Sequence, residues 1–186
     1  IPTKQVPICD CSFYMQNLKV DWKNEAISLT LYKDHSILAG GYSNLFQTNE
    51  PLRKLAEVYA FENDFEACLL INNEKKIVES TRGAVFLIFN YKIYTPPLSS
   101  GVVNSVSREI LIDFINKNNS YEIIEEEIPV FNLQRAEEIF LFSFQHGLTK
   151  IIKFRKKVYS SEKSKTIEGL FSDHLGISFE MGFQEY

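Results

Sequence analysis

Glu79 and the tetrapeptide Ser105-Val106-Ser107-Arg108 are the residues whose types and placement could do chemistry. The tetrapeptide follows Gly101 and opens a run with helical spacing. Amides in the first turn of a helix have no partner inside it, and the helix dipole leaves partial positive charge there, so a phosphate or other anion suits such a turn. The Ser107 hydroxyl adds a donor and Arg108 a charge. Plain capping of the helix by Ser105 or Ser107 is the competing reading. Glu79 ends a short strand ahead of Ser80 and Thr81; taken alone it is an ordinary strand-end carboxylate. The other reactive side chains form no set. Cys9 and Cys11 are two apart, not the C-x-x-C spacing of zinc and redox motifs, and Cys68 is remote from both. His35, His146 and His174 are scattered, and no nucleophile elbow is present.

The elements that must position these residues follow from periodicity. Residues 1–20 are irregular. Residues 26–33 alternate and predict a strand. A loop with Gly40-Gly41 leads to a helix over 50–61, with Leu52, Leu55, Ala56, Tyr59 and Ala60 on one face and Thr48 as N-cap. Residues 67–72 and 76–79 predict two strands around a polar turn; 85–89 and 92–94 predict a hairpin across Asn90-Tyr91. After the rigid TPPLSSG loop (95–101) comes a helix over 105–116. Then follow a strand at 121–127, a short helix at 132–137, strands at 139–144 and 151–154, and a helix over 166–175. Strands and helices without a regular βαβ rhythm predict an α+β fold.

The chain has 186 residues and a formal net charge of −4, with 15 Phe and 9 Tyr to fill a core. An acidic balance gives no electrostatic reason to expect nucleic acid. The basic run at 150–157 (KIIKFRKK) reads as a half-solvated strand. No apolar run approaches the roughly 18 residues of a membrane-spanning helix. Three cysteines and no secretory leader predict a cytoplasmic location. The sequence begins Ile1-Pro2, so either its N-terminus has been removed or it starts inside a longer protein.

The stretch LLINNEKKIVESTRGAVFLIFNYKIYTPPLSSGVVNSVSRE, residues 69–109, resembles the fold-type IV pyridoxal-phosphate enzymes: class IV aminotransferases and aminodeoxychorismate lyases. The resemblance runs from about residue 29 to 159. It implies the C-terminal domain of the D-amino-acid aminotransferase-like fold over residues 26–186. It also implies that the small N-terminal domain is absent, with residues 1–25 as its remnant or a linker. It implies pyridoxal phosphate as cofactor, with Glu79 facing the pyridine nitrogen and Val106, Ser107 and Arg108 at the phosphate. It also implies a homodimer or a heterodimer with a related subunit, because the family's pockets lie at domain and subunit boundaries.

The departures from the family pattern carry as much weight. The Schiff-base lysine stands three positions before an asparagine in the family; here Phe46 precedes Asn49. A phenyl ring cannot form the imine that such catalysis needs. Lys33 and Lys54, the nearest lysines, are out of register. Ser105 replaces a glycine of the phosphate turn, Ala84 an asparagine, and Phe142 lies where a phosphate-binding threonine is usual. Two readings follow. One is a non-catalytic homologue acting as a binding or partner subunit, with phosphate or a small molecule as its ligand. The alternative is an active pyridoxal-phosphate aminotransferase or lyase with a displaced lysine.

Overall fold

In the computed structural model the described residues are Trp22 and 26–176. Cys9, Cys11 and the irregular stretch over 1–20 lie outside them. The described chain runs β1 (Ala26–Leu31), α1 (Glu50–Glu62), β2 (Ala67–Ile71), β3 (Lys76–Ser80), β4 (Ala84–Phe89), β5 (Lys92–Thr95), α2 (Val106–Asn118), β6 (Glu122–Glu125), β7 (Ile128–Pro129), α3 (Asn132–Arg135), β8 (Glu138–Ser143), β9 (Gly147–Phe154), β10 (Lys157–Val158) and α4 (Glu162–Leu175). The strands form one mixed sheet in the order β6-β5-β4-β8-β9-β1-β2-β3-β7, with β10 on β9. This is the α+β architecture that the sequence predicts.

Chain connectivity forces this sheet to curl. β3 and β4 stand five places apart in the strand order, which in a flat sheet is about 24 Å at ~4.8 Å per strand. From Ser80 to Ala84 the chain can span at most about 14 Å. The ends of β3 and β4 therefore meet, and a Ser80–Gly83 bridge closes the turn between them. The curled sheet encloses one apolar cluster, including Ile27, Leu29, Leu69, Val85, Leu87 and Ile139. Alternate residues point outward. Phe86, Ile88, Phe140 and Phe142 pack with Leu111, Ile115, Ile167 and Phe171 of α2 and α4, while Cys68, Leu70 and Val78 pack with Ala56 and Ala60 of α1. β2 and β8 are apolar on both faces because they are covered on both. Each buried Phe of this layer stabilises the fold by roughly 1.5–3 kcal/mol.

Several local expectations are corrected. Thr48 does not cap α1. It lies in a 3-10 turn (Phe46–Asn49), its hydroxyl donates to the Tyr42 carbonyl, and Asn49 precedes the helix without a side-chain cap. Leu55 is exposed. The final helix starts at Glu162, four residues early, because the Glu138 carboxylate on β8 accepts the Lys163 and Ser164 amides. The basic run is not simply half-solvated. Lys150 is fully buried against Glu168 of α4, whereas Ile152 is exposed. Among the described residues no helix is long and apolar enough to cross a membrane.

Candidate functional site

The turn between β3 and β4, the first half of α1, the entry to α2 and the corner after β8 surround a cavity of about 230 Å³. Glu79 lies on its wall, 5 % exposed. Its Oε1 accepts from Arg53 Nε at 2.7 Å, and its Oε2 accepts from the Val103 amide at 3.3 Å. Burial raises the affinity of this carboxyl for its proton, and the Arg53 guanidinium and the Val103 amide oppose the shift.

Arg53 is the residue that sequence reasoning missed. It is buried, it lines the same cavity, and its Nη1 donates to the Phe46 carbonyl at 2.5 Å. Its Cζ lies 4.9 Å from the centre of the Phe46 ring, a cation–π arrangement. Nη2 is buried and has no hydrogen-bond partner. A signal for Arg53 was present in the sequence. The residue lies three before Ala56 and seven before Ala60, on the apolar face of α1, and a charge on a buried face requires a partner.

The structure brings only part of the predicted set together. Phe46, Glu79, Ala84 and Ser107 all line the cavity. Ser105 caps α2 by accepting the Arg108 amide at 3.3 Å, and its hydroxyl lies 3.2 Å from that of Ser107. Val106 projects into solvent outside the cavity. Arg108 turns away, donating to the Pro96 carbonyl at 2.9 Å and pairing with Glu125 at 2.6 Å. Phe142 does not fill the cavity either. It sits in the outer aromatic layer, edge-on to Trp22, Phe144 and Phe171, while its neighbour Ser143 reaches the cavity. Lys33 lies outside the cavity. Lys54 lies on its rim, solvent-exposed and paired with Glu57 at 2.8 Å. A second groove of about 490 Å³ adjoins the first and shares Lys54, Arg82 and His146 with it. Among the described residues no cluster has the makings of a metal site.

This wall does not fit pyridoxal phosphate. Among the described residues, Lys54 is the only lysine lining the cavity, and it is exposed on the rim. The carboxylate that would meet a protonated ring nitrogen already has a cation on one oxygen and an amide on the other.

Comparison with known proteins sets this geometry in context. The family described as amino-transferase class IV matches residues 12–154. A protein of Methanocaldococcus jannaschii named as a branched-chain-amino-acid aminotransferase is 21% identical over 141 residues, covering 74% of this chain and 48% of that protein. Among solved structures, the branched-chain aminotransferase of Thermobaculum terrenum in its PLP form superposes with a TM-score of 0.71 at 20% identity, over 84% of this chain and 53% of that one. A Legionella pneumophila protein named as a 4-amino-4-deoxychorismate lyase gives 0.76 at 17% identity, over 85% and 59%. The chain thus spans about half the length of the relatives it matches, and shares the fold-type IV fold with them over that span. With three quarters of its residues inside the family match and this fold, the chain belongs to the class IV aminotransferases.

Proposed function

We propose that this chain is a non-catalytic member of its family, working as a binding or partner subunit. The observation that carries this reading is the Arg53–Glu79 pair set against Phe46. A working cofactor site needs an amine for the imine and a carboxylate free to meet the ring nitrogen. Here a phenyl ring stands where the family pattern places the amine, and an internal guanidinium engages the carboxylate.

The cavity then serves as a small-molecule pocket, with the Ser105 and Ser107 hydroxyls at the start of α2 suited to a phosphate or carboxylate. The partner role is supported by exposed apolar residues. Leu55, Val58 and Phe61 form a stripe along α1, and Leu38, Tyr42 and Leu45 precede it in the same region of the chain. Apolar surface of this kind marks interfaces. A homodimer, or a heterodimer with a related subunit, in the cytoplasm is the assembly we propose. Sedimentation showing a clean monomer at micromolar concentration, alone and mixed with a full-length class IV aminotransferase, would count against it.

The catalytic question has a direct test. The purified chain is incubated with stoichiometric pyridoxal phosphate, reduced with borohydride and mapped by peptide mass. No specific pyridoxyl-lysine is expected. A pyridoxyl group found stoichiometrically on Lys54 or Lys33 would establish the alternative reading, an active aminotransferase or lyase with a displaced lysine.

A further inference from the structure

We infer that Arg53 is an internal occupant of the cavity: its guanidinium takes the place that a protonated heteroaromatic ring would take against Glu79, and so decides which ligands the cavity accepts. The inference rests on the non-catalytic reading above and adds the residue responsible for excluding the cofactor.

Three observations support it. The first is chemical mimicry. A guanidinium is a flat, delocalised cation that presents an N–H to a carboxylate, as a pyridinium does. Arg53 Nε makes this contact with Glu79 Oε1 at 2.7 Å. The second is stacking. Phe46 lies 4.9 Å from Cζ and also binds Nη1 through its carbonyl, so ring and backbone together hold the cation over the carboxylate. The third is that stability alone is a poor account of the pair. Buried ion pairs often gain nothing over apolar residues of similar volume. This one also leaves Arg53 Nη2 buried without a hydrogen-bond partner, while Arg53 Nη1 lies 3.7 Å from a second carboxylate, Glu50 Oε2.

The consequence is selectivity by charge. With Arg53 in place, both Glu79 oxygens are engaged, and the Glu79 end of the cavity has no free acceptor for a cationic heteroaromatic ring. What remains open is the end formed by Ser105 and Ser107. Removing the guanidinium should free a buried carboxylate acceptor and the space beside it, and so restore affinity for a protonatable heteroaromatic ring that carries a phosphate.

Pyridoxine 5′-phosphate is the probe, because it has the ring nitrogen and the phosphate but no aldehyde and cannot react with any lysine. Binding to the whole chain is followed by calorimetry at neutral pH. The wild-type chain is expected to bind weakly. Arg53→Ala should bind about tenfold or more tightly, as relief of an internal competitor predicts. Arg53→Ala/Glu79→Gln should lose that gain, because the anionic acceptor is gone. Arg53→Met is the substitute if the alanine variant does not fold. Wild-type binding as tight as that of the Arg53 variants would overturn the inference, as would a gain that survives Glu79→Gln, since that would reflect added volume alone. Failure here would remove Arg53 from the non-catalytic reading but leave Phe46 as its ground, and the two are told apart because that reading is decided by whether a lysine becomes pyridoxylated.

Discussion

Arg53 Nε lies 2.7 Å from Glu79 Oε1, and both side chains are more than nine-tenths removed from solvent. Breaking a buried pair from one side strands the other charge, at a cost of roughly 3–5 kcal/mol. The pH dependence follows from Glu79. Burial raises its folded-state proton affinity above the unfolded value, and Arg53 works against that rise. A raised carboxyl costs nothing while both states hold the proton, and its cost grows as pH climbs through the folded-state value. Arg53→Met should therefore be strongly destabilised at neutral pH and much less so below the ordinary carboxylate range. Urea titrations at pH 7 and at about pH 3, below the ordinary carboxylate range, measure this difference. Equal losses at both would mean that Glu79 is not the stranded charge.

Phe46→Lys alone should not create a cofactor site. The new ammonium would stand beside the Arg53 guanidinium, which now packs on the Phe46 ring at 4.9 Å. Like charges at that range disfavour each other, and Glu79 would remain engaged. Phe46→Lys/Arg53→Ala should form a borohydride-trappable link with pyridoxal phosphate several-fold better than Phe46→Lys. If the two trap equally, Arg53 plays no part in exclusion.

Much of this architecture was legible in the sequence. The alternation at residues 26–33, the Asn90-Tyr91 hairpin and the helix after Ser105 each follow from local chemistry. Asn90 and Tyr91 both adopt positive φ, as a tight hairpin of this length requires. Ser105 caps its helix through its own side chain. The cavity was less legible, because its contents are set by contacts distant in sequence. Nothing local says that Arg108 will turn to Glu125, 17 residues on, or that Lys150 will reach Glu168 through the outer layer. Phe142 illustrates the remaining gap. Its position beside Ser143 is readable, but which of two alternating strand residues faces the cavity depends on the curl of the whole sheet.

Gly83, on the cavity wall, packs closely against the backbone of β8. Its φ is +138°, and a Cβ built there would lie 2.3 Å from the Phe142 carbonyl oxygen. Both the backbone conformation and the close approach require glycine. Gly83→Ala should cost about 2 kcal/mol or more. Because Thr81, Arg82 and Gly83 form one side of the cavity, the same change should also weaken any small-molecule ligand found there. A thermal melt within a degree of wild type would show that the turn relaxes freely.

The start of α2 supplies the last prediction. The first-turn amides of Val106 and Ser107 have no intrahelical partner by geometry, and the Ser105 and Ser107 hydroxyls, 3.2 Å apart, sit in the cavity wall beside them. The helix dipole favours an anion at this point by roughly 0.3–1 kcal/mol. Arg108 adds nothing there, because its guanidinium is spent on Pro96 and Glu125. Inorganic phosphate should therefore raise the melting temperature progressively with concentration, as mass action requires of a ligand that binds the native state. Ser107→Pro removes one amide and one hydroxyl at a helical position where proline is tolerated, and should abolish the specific part of the gain. Glu125→Gln disturbs Arg108 without touching the turn and should leave the gain in place. Chloride at matched ionic strength provides the baseline. If the proline variant gains as much as wild type, phosphate acts only as a general stabilising salt, and Ser105 and Ser107 do no more than cap the helix.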